Sequence, residues 1–290
     1  MKGMKMEVDK VYLGDCVKIM KTLPNKSVDL VFADPPFNIG LKYDVYNDNI
    51  SYEKYYNWSK EWVKEACRLL KNSGAIYVAI GDEFAAELNI ILKRRGFYFR
   101  NWIVWHYTFG QNQRKKFTRA HTHIFYFTKD KERFTFNDKH IRVPSARQLV
   151  YKDKRANPLG KIPDDVWQFS RICGTFKERL GRHPCQMPES LLERIISVSS
   201  NEGDTVLDPF GGTGTTAAVA KKLKRHFVTM EISEEYYDLI LKRLNLRKLK
   251  SVSEDEEEEQ RNLFWFSKMK KKELDDSIRK IGGYKRAERG

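Results

Sequence analysis

Apolar and polar positions change period several times along the chain, and each change marks an element. Val28 to Ala33 is a short, nearly unbroken apolar run, as a strand buried on both faces of a parallel sheet would be. From Ser51 to Leu70, Tyr55, Trp58, Trp62, Val63, Ala66, Leu69 and Leu70 recur at three- and four-residue spacing, which predicts an amphipathic helix with Gly74 as its stop. Ala75 to Ile80 reads as a strand, Phe84 to Leu92 as a helix, and Phe97 to Tyr107 and His123 to Thr128 as β-rich segments. Thr205 to Leu207 and Phe227 to Ile232 read as two more strands, separated by an alanine-rich helix, and Glu234 to Leu249 as a final helix. Strands alternating with helices predict an α/β fold.

Between Asp130 and Gly181 the periodicity degrades into basic, proline-punctuated sequence, in which Phe134, Phe136, Tyr151 and Trp167 are expected to form a small core. This part of the chain is also the most charged: Gln111 to Arg182 holds 18 Lys and Arg against 7 Asp and Glu, in a protein of net charge +15. A basic block of that kind points to nucleic acid. Arg142, Arg147, Lys152, Lys154 and Arg155 are candidates for phosphate or guanine contacts. No apolar run is long enough to span a membrane, and the polar start MKGMKMEVDK has no signal segment, so the expected compartment is the cytoplasm. Cys16, Cys67, Cys173 and Cys185 are widely spaced without a C-x-x-C pair, and His121, His123 and His183 show no ligand spacing, so no metal is expected. After residue 250 come six consecutive acids, Glu254 to Glu259, then an apolar stretch ending at Phe266 and a lysine-rich tail, read as an acidic linker and extension without chemistry.

Two short motifs carry the chemistry. In Val206 to Ala220 a strand runs into Asp208, three glycines (Gly211, Gly212, Gly214) and a helix start; such a loop lets a nucleotide-like ligand approach the backbone and the free helix N–H groups. Glu231, twenty positions beyond Gly211, ends the next strand where an acid can accept from ribose hydroxyls. The second motif, Asp34-Pro35-Pro36-Phe37, follows the first buried strand. Its prolines hold the Asp34 carboxylate, the Pro35 carbonyl and the Phe37 ring beyond the carboxyl edge of the sheet, where open α/β sheets bind ligands. Two acceptors beside an aromatic plate suit a planar heterocycle with an exocyclic amine. A dinucleotide-dependent dehydrogenase would use the glycine loop but has no role for Asp-Pro-Pro-Phe.

At these residues the chain resembles the S-adenosylmethionine-dependent amino-methyltransferases of DNA, with their (Asp/Asn/Ser)-Pro-Pro-(Tyr/Phe/Trp) motif and Phe-x-Gly-x-Gly loop, here Phe210-Gly211-Gly212-Thr213-Gly214. Their order along the chain, catalytic motif first and cofactor loop last, is similar to the beta arrangement of that family. Tyr12-Leu13-Gly14-Asp15-Cys16 resembles the segment that touches the cofactor adenine, and His183-Pro184-Cys185-Gln186-Met187-Pro188 the one that closes over its methionine end. The resemblance implies a Rossmann-like class I methyltransferase sheet with helices on both faces and an inserted target-recognition region. In it, Phe97 to Tyr107 and His123 to Thr128 would pair at one edge of the sheet. It divides the chain into a catalytic half (1–129), the insert (130–182), a cofactor-loop half (183–250) and the extension (251–290).

On that resemblance the catalytic residues are Asp34, Pro35, Pro36 and Phe37. The cofactor-binding residues are Asp15, Cys16, Asp34, His183, Pro184, Gln186, Asp208, Phe210, Gly211, Gly212, Thr213, Gly214, Thr215, Thr216, Glu231 and Ile232. The loop from Thr108 to Thr122, with Arg114, Lys115, Lys116 and Arg119, would lie near double-stranded DNA and set its register through phosphates. A leading Asp in the catalytic motif favours N6 of adenine, flipped out of the duplex. N4 of cytosine, an RNA substrate and a non-catalytic nucleic-acid-binding subunit are the alternatives. A homodimer and a cognate restriction endonuclease are further expectations of the resemblance.

Overall fold

The computed structural model describes residues 6–41, 45–107, 110, 114–173, 176–180 and 185–246. The described residues up to Leu246 belong to one compact unit. The acidic run and everything after it lie outside the described residues.

Eight strands make one sheet: β1 (Lys10–Leu13), β2 (Val28–Ala33), β3 (Leu70–Ile80), β4 (Tyr98–His106), β5 (His121–Thr128), β6 (Val166–Gln168), β7 (Thr205–Asp208) and β8 (His226–Glu231). Their order across the sheet is β1-β8-β7-β2-β3-β5-β4-β6. The five strands from β1 to β3 are parallel, β5 runs antiparallel to both β3 and β4, and β6 is parallel to β4. The helices are α1 (Cys16–Thr22), α2 (Tyr52–Leu69), α3 (Ala85–Arg94), α4 (Ala146–Leu149), α5 (Glu189–Ser199), α6 (Thr215–Lys222) and α7 (Glu234–Arg243).

Strand β2 shows why its run is apolar throughout. Val31 and Ala33 face a core shared with Met20 of α1, Tyr55, Trp62 and Leu69 of α2 and Leu88 of α3, whereas Leu30 and Phe32 face one shared with Leu192 of α5, Val219 of α6 and Ile240 of α7. Side chains alternate across a strand, so both faces need apolar residues once helices cover both. Each fully buried large side chain in these layers contributes roughly 1.5–3 kcal/mol. The two layers also place the ligand crevice. The chain leaves β2 towards α2 on one face, and leaves the adjacent β7 towards α6 on the other, so the sheet parts above the carboxyl ends of β2 and β7.

The structure changes the sequence reading in three places. Gly74 does not stop α2: the helix runs into β3 at Leu70, and Gly74 lies inside that strand. A Cβ there would stand 2.6 Å from the Leu70 side chain and 2.7 Å from the Asp29 carbonyl, so the glycine serves close approach of two strands. The β4–β5 pair is not the edge of the sheet, because β6, contributed by the basic insert, adds to β4. The expected aromatic core of the insert does not form either. Tyr151 is 75% and Phe136 39% exposed, Phe134 lies under the Arg100 guanidinium, and buried Trp167 belongs to the sheet core through β6.

Candidate functional site

Above the carboxyl ends of β2 and β7 opens a cavity of about 790 Å³. Its wall carries all four residues of the Asp34-Pro35-Pro36-Phe37 turn and, facing them, Asp208, Phe210, Gly211, Gly212, Thr213, Thr215, Thr216, Glu231 and Ile232. Asp15, Cys16 and Gln186 also line the cavity. Residues 170 positions apart thus meet because β2 and β7 are neighbours, with Val31 opposite Leu207.

The Asp34 turn is held from three directions. Tyr55, on the buried face of α2, donates its hydroxyl hydrogen to the Pro36 carbonyl at 2.6 Å. Buried Asp48 accepts the backbone N–H groups of Asn38, Ile39 and Leu41 at 2.7, 3.1 and 3.0 Å. Asn38, left-handed at φ 57°, exchanges two hydrogen bonds with the backbone of Ile50. With Pro36 O taken by Tyr55, the acceptor available from the proline pair is Pro35 O. None of these supports was foreseen from sequence; an Asn directly after the motif, apt for positive φ, was the one local signal.

Desolvation holds the Asp34 carboxyl well above the usual carboxylate range, and the charge of Asp208 pushes it further. Asp208 itself, 4% exposed, is pushed up to about 6 by burial and by Glu231, against hydrogen bonds from Thr216 and the Phe210 N–H. Burial likewise raises the thiols of Cys16 and Cys185 to about 12 and about 11, so neither is a ready thiolate.

The glycine loop is braced by contacts within the protein. Gly211 donates to Met230 O and accepts from Gly214 N, both at 2.7 Å. A Cβ on Gly211 would meet Thr229 at 2.8 Å and Ile240 at 2.9 Å. Gly214, at φ 72°, packs on Ile240 and does not line the cavity. The Glu231 carboxylate accepts from Gly212 N at 2.7 Å and, through its other oxygen, from Ile232 N and Ser233 N at 2.8 and 2.9 Å. It is therefore fixed at the strand end as an acceptor. Asp15 caps α1 through Lys18 N at 2.8 Å, and Gln186 bridges Leu180 N and Glu178 O. His183 and Pro184 lie outside the described residues.

A cofactor with a nucleoside at one end and a charged amino-acid end fits this wall. A braced glycine loop, a helix N-terminus at Thr215 and Thr216, and a fixed carboxylate at Glu231 are the donors and acceptors such a group requires.

The basic candidates are placed unevenly. Arg114, Lys115 and Lys116 are exposed, Lys116 on the cavity wall. Arg119 also lines the cavity but pairs with Glu83 at 2.9 Å and Asp82 at 3.4 Å. Arg142 is held by Asp138 and Gly160 O, and Arg147 and Arg155 both bind Asp153, at 2.6 and 3.1 Å, while Lys152 and Lys154 lie exposed beside them.

One cluster escaped the sequence reading: Asp82, His121 and His123 offer ligand atoms within 4.8 Å of one another. Its hydrogen bonding argues against a metal. Trp102 N–H donates to His123 Nδ1 at 2.9 Å, which places the ring proton on Nε2, 2.8 Å from Asp82. A metal on Nε2 would need the proton on Nδ1, facing a second donor. Burial accordingly lowers the His123 pKa, the hydrogen bond to Asp82 notwithstanding.

The sequence profile of a family described as DNA methylase matches residues 28–242. The chain is 40% identical over 237 residues to Type II methyltransferase M.HpaI of Haemophilus parainfluenzae, covering 81% of this chain and 74% of that protein. It is 36% identical over 258 residues to DNA adenine methyltransferase YhdJ of Escherichia coli K12, covering 86% of each. A crystal structure of an M1.HpyAVI–SAM complex superposes with a TM-score of 0.59 at 25% identity, covering 82% of this chain and 99% of that one.

Proposed function

The chain belongs to the DNA methylase family, and from that premise we propose that it methylates the exocyclic N6 of an adenine swung out of duplex DNA into the cavity above β2 and β7. It is an S-adenosylmethionine-dependent DNA methyltransferase; the adenine, its extrusion and the residue roles are our reading. The observation that carries it is the meeting of the Asp34 turn and the glycine loop on one wall. A 36% identical relative aligned over 86% of the chain is named an adenine methyltransferase, which supports adenine over cytosine.

Bound in the loop, S-adenosylmethionine supplies an electrophilic methyl group. The chain's task is to make a poor nucleophile attack it. The lone pair of an exocyclic amine is delocalised into the ring, and two acceptors that draw its hydrogens out of plane localise it. Asp34 and Pro35 O would do so while Phe37 stacks on the ring, and Asp34 would take the proton released. Positioning and stabilisation of the developing positive charge carry the rate, with no covalent enzyme intermediate. Glu231 accepts from the ribose hydroxyls, and Asp15 and Ile232 flank the cofactor adenine.

Incubation of unmethylated genomic DNA with the protein and S-adenosylmethionine, followed by nucleoside mass spectrometry, tests this, with Asp34→Ala beside it. N6-methyladenine in the wild-type sample alone is the expected result; N4-methylcytosine would overturn the base assignment. We carry as proposals of the resemblance a homodimer, read by sedimentation, a cognate endonuclease, and a cytoplasmic setting. Among the described residues no helix is long and apolar enough to cross a membrane.

A further inference from the structure

The cavity is acidic. Six carboxylates line it, those of Asp15, Asp34, Asp82, Glu83, Asp208 and Glu231. Such a wall favours a cationic donor but repels a nucleotide, which must bring its phosphodiester with it. Three cations line the same wall: Lys116 is exposed to solvent, and Arg119 is neutralised by Asp82 and Glu83. Arg171 is not. Among the described residues its guanidinium has no carboxylate partner; it lies over the ring of Tyr107, 5.1 Å from the centroid. The Tyr107 hydroxyl is spent on His121 O at 2.9 Å, so the ring is a fixed platform. Arg194 makes a similar stack between Trp167 and Phe169, but it is no part of the cavity wall.

Position separates the two anions that could meet Arg171. It lies three residues past β6, at the opposite end of the sheet from β8 and Glu231. Tyr107 follows β4 and His121 opens β5, so this platform stands beyond β3, across β2 from the glycine loop that follows β7, and the Arg171 charge reaches the Cys185 thiol.

We propose that Arg171, held over Tyr107, binds a phosphodiester next to the extruded nucleotide and so admits an anionic strand to an otherwise acidic cavity. A planar guanidinium stacked on a ring keeps its N–H edges free for bidentate contact with phosphate oxygens. The inference rests on the reading of the cavity as the seat of an extruded base, and names the group that tethers it.

The test uses the full chain and a duplex carrying its own target site, located by sequencing DNA that the wild-type protein has methylated. Methylation by the wild type establishes the enzyme reading independently of Arg171. Neutral methylphosphonates are then placed one at a time at the phosphodiesters flanking the target base, and kcat/KM is measured for the wild type and for Arg171→Gln. At one position the neutral linkage should cost the wild type about 10- to 100-fold. Arg171→Gln should show the same loss on ordinary DNA, with no further loss at that linkage, and its binding should fall off less steeply with salt by about one phosphate. Losses that multiply at every linkage would overturn the proposal. So would an Arg171→Gln protein that binds S-adenosylmethionine more weakly but its decarboxylated analogue as before, because Arg171 would then hold the cofactor's carboxylate. A wild-type protein indifferent to every neutral linkage would also overturn the proposal, whatever the folding of the variant.

Discussion

Tyr55, buried in the first helical layer, reaches the Pro36 carbonyl at 2.6 Å, so the core beneath α2 and the geometry of the Asp34 turn are one mechanical unit. Removing the hydroxyl leaves a half-buried carbonyl without its donor. Tyr55→Phe should cost about 1–3 kcal/mol in chemical denaturation and lower kcat while the dissociation constant for S-adenosylmethionine stays near that of the wild type. A wild-type kcat would mean that the two prolines hold the turn unaided.

The raised pKa of Asp34 predicts a pH profile. In the proposed mechanism its ionised form takes the amine's proton, and burial together with Asp208 favours the neutral form. The acid limb of kcat/KM should lie above the usual carboxylate range and move downward in Asp208→Asn, which removes the neighbouring charge. Unchanged profiles in that variant would separate the two carboxylates.

Asp208 also ties stability to pH. Its pKa is about 6 in the folded protein against an ordinary 3.8, so between those values the unfolded chain has lost a proton that the native state keeps. Stability then falls as pH rises through that window and is flat above it, by about 3 kcal/mol for this one group. Denaturation of wild type and Asp208→Asn from pH 4 to 7 should show their difference shifting in favour of the variant up to about pH 6. A difference independent of pH would contradict the assigned shift.

Glu231→Gln keeps the size and one acceptor oxygen but gives up the charge, and it presents an amide to the N–H groups of Gly212 or Ile232 and Ser233. We expect cofactor affinity to fall about 10- to 100-fold, on the scale of a lost charge-assisted hydrogen bond, with kcat at saturating cofactor much less affected. Calorimetry reads the first and steady-state kinetics the second; a fall confined to kcat would remove Glu231 from cofactor binding.

The parts legible in sequence are those whose cause is local. Val28 to Ala33 announces a doubly covered strand because each of its residues must suit one of two apolar layers, and the glycine loop announces itself because its shape is written in consecutive residues. The rest depends on partners far along the chain. Val166 to Gln168 is too short for any period to show, and becomes a strand through β4. Gly74 looks like a helix stop until Asp29 is seen against it. Asp48 looks like one loop acid among many until three N–H groups of the Asp34 turn's continuation converge on it. Arg171 gives no sequence signal at all, because what distinguishes it from Arg119 is the carboxylates it lacks.

Helix α7 presses Ile240 against Gly211 and Gly214, and its Arg243 binds Thr213 O and Thr215 Oγ1 while anchored to Glu189 at 2.6 Å. Clamped in this way by protein contacts, the loop has little conformational freedom to lose. Cofactor capture should then resemble docking into a rigid mould, with hydrogen-exchange protection of Gly211 to Thr216 nearly the same in the free and bound protein. The adjustments that accompany catalysis would fall to the opposite wall, where we propose that the extruded base enters.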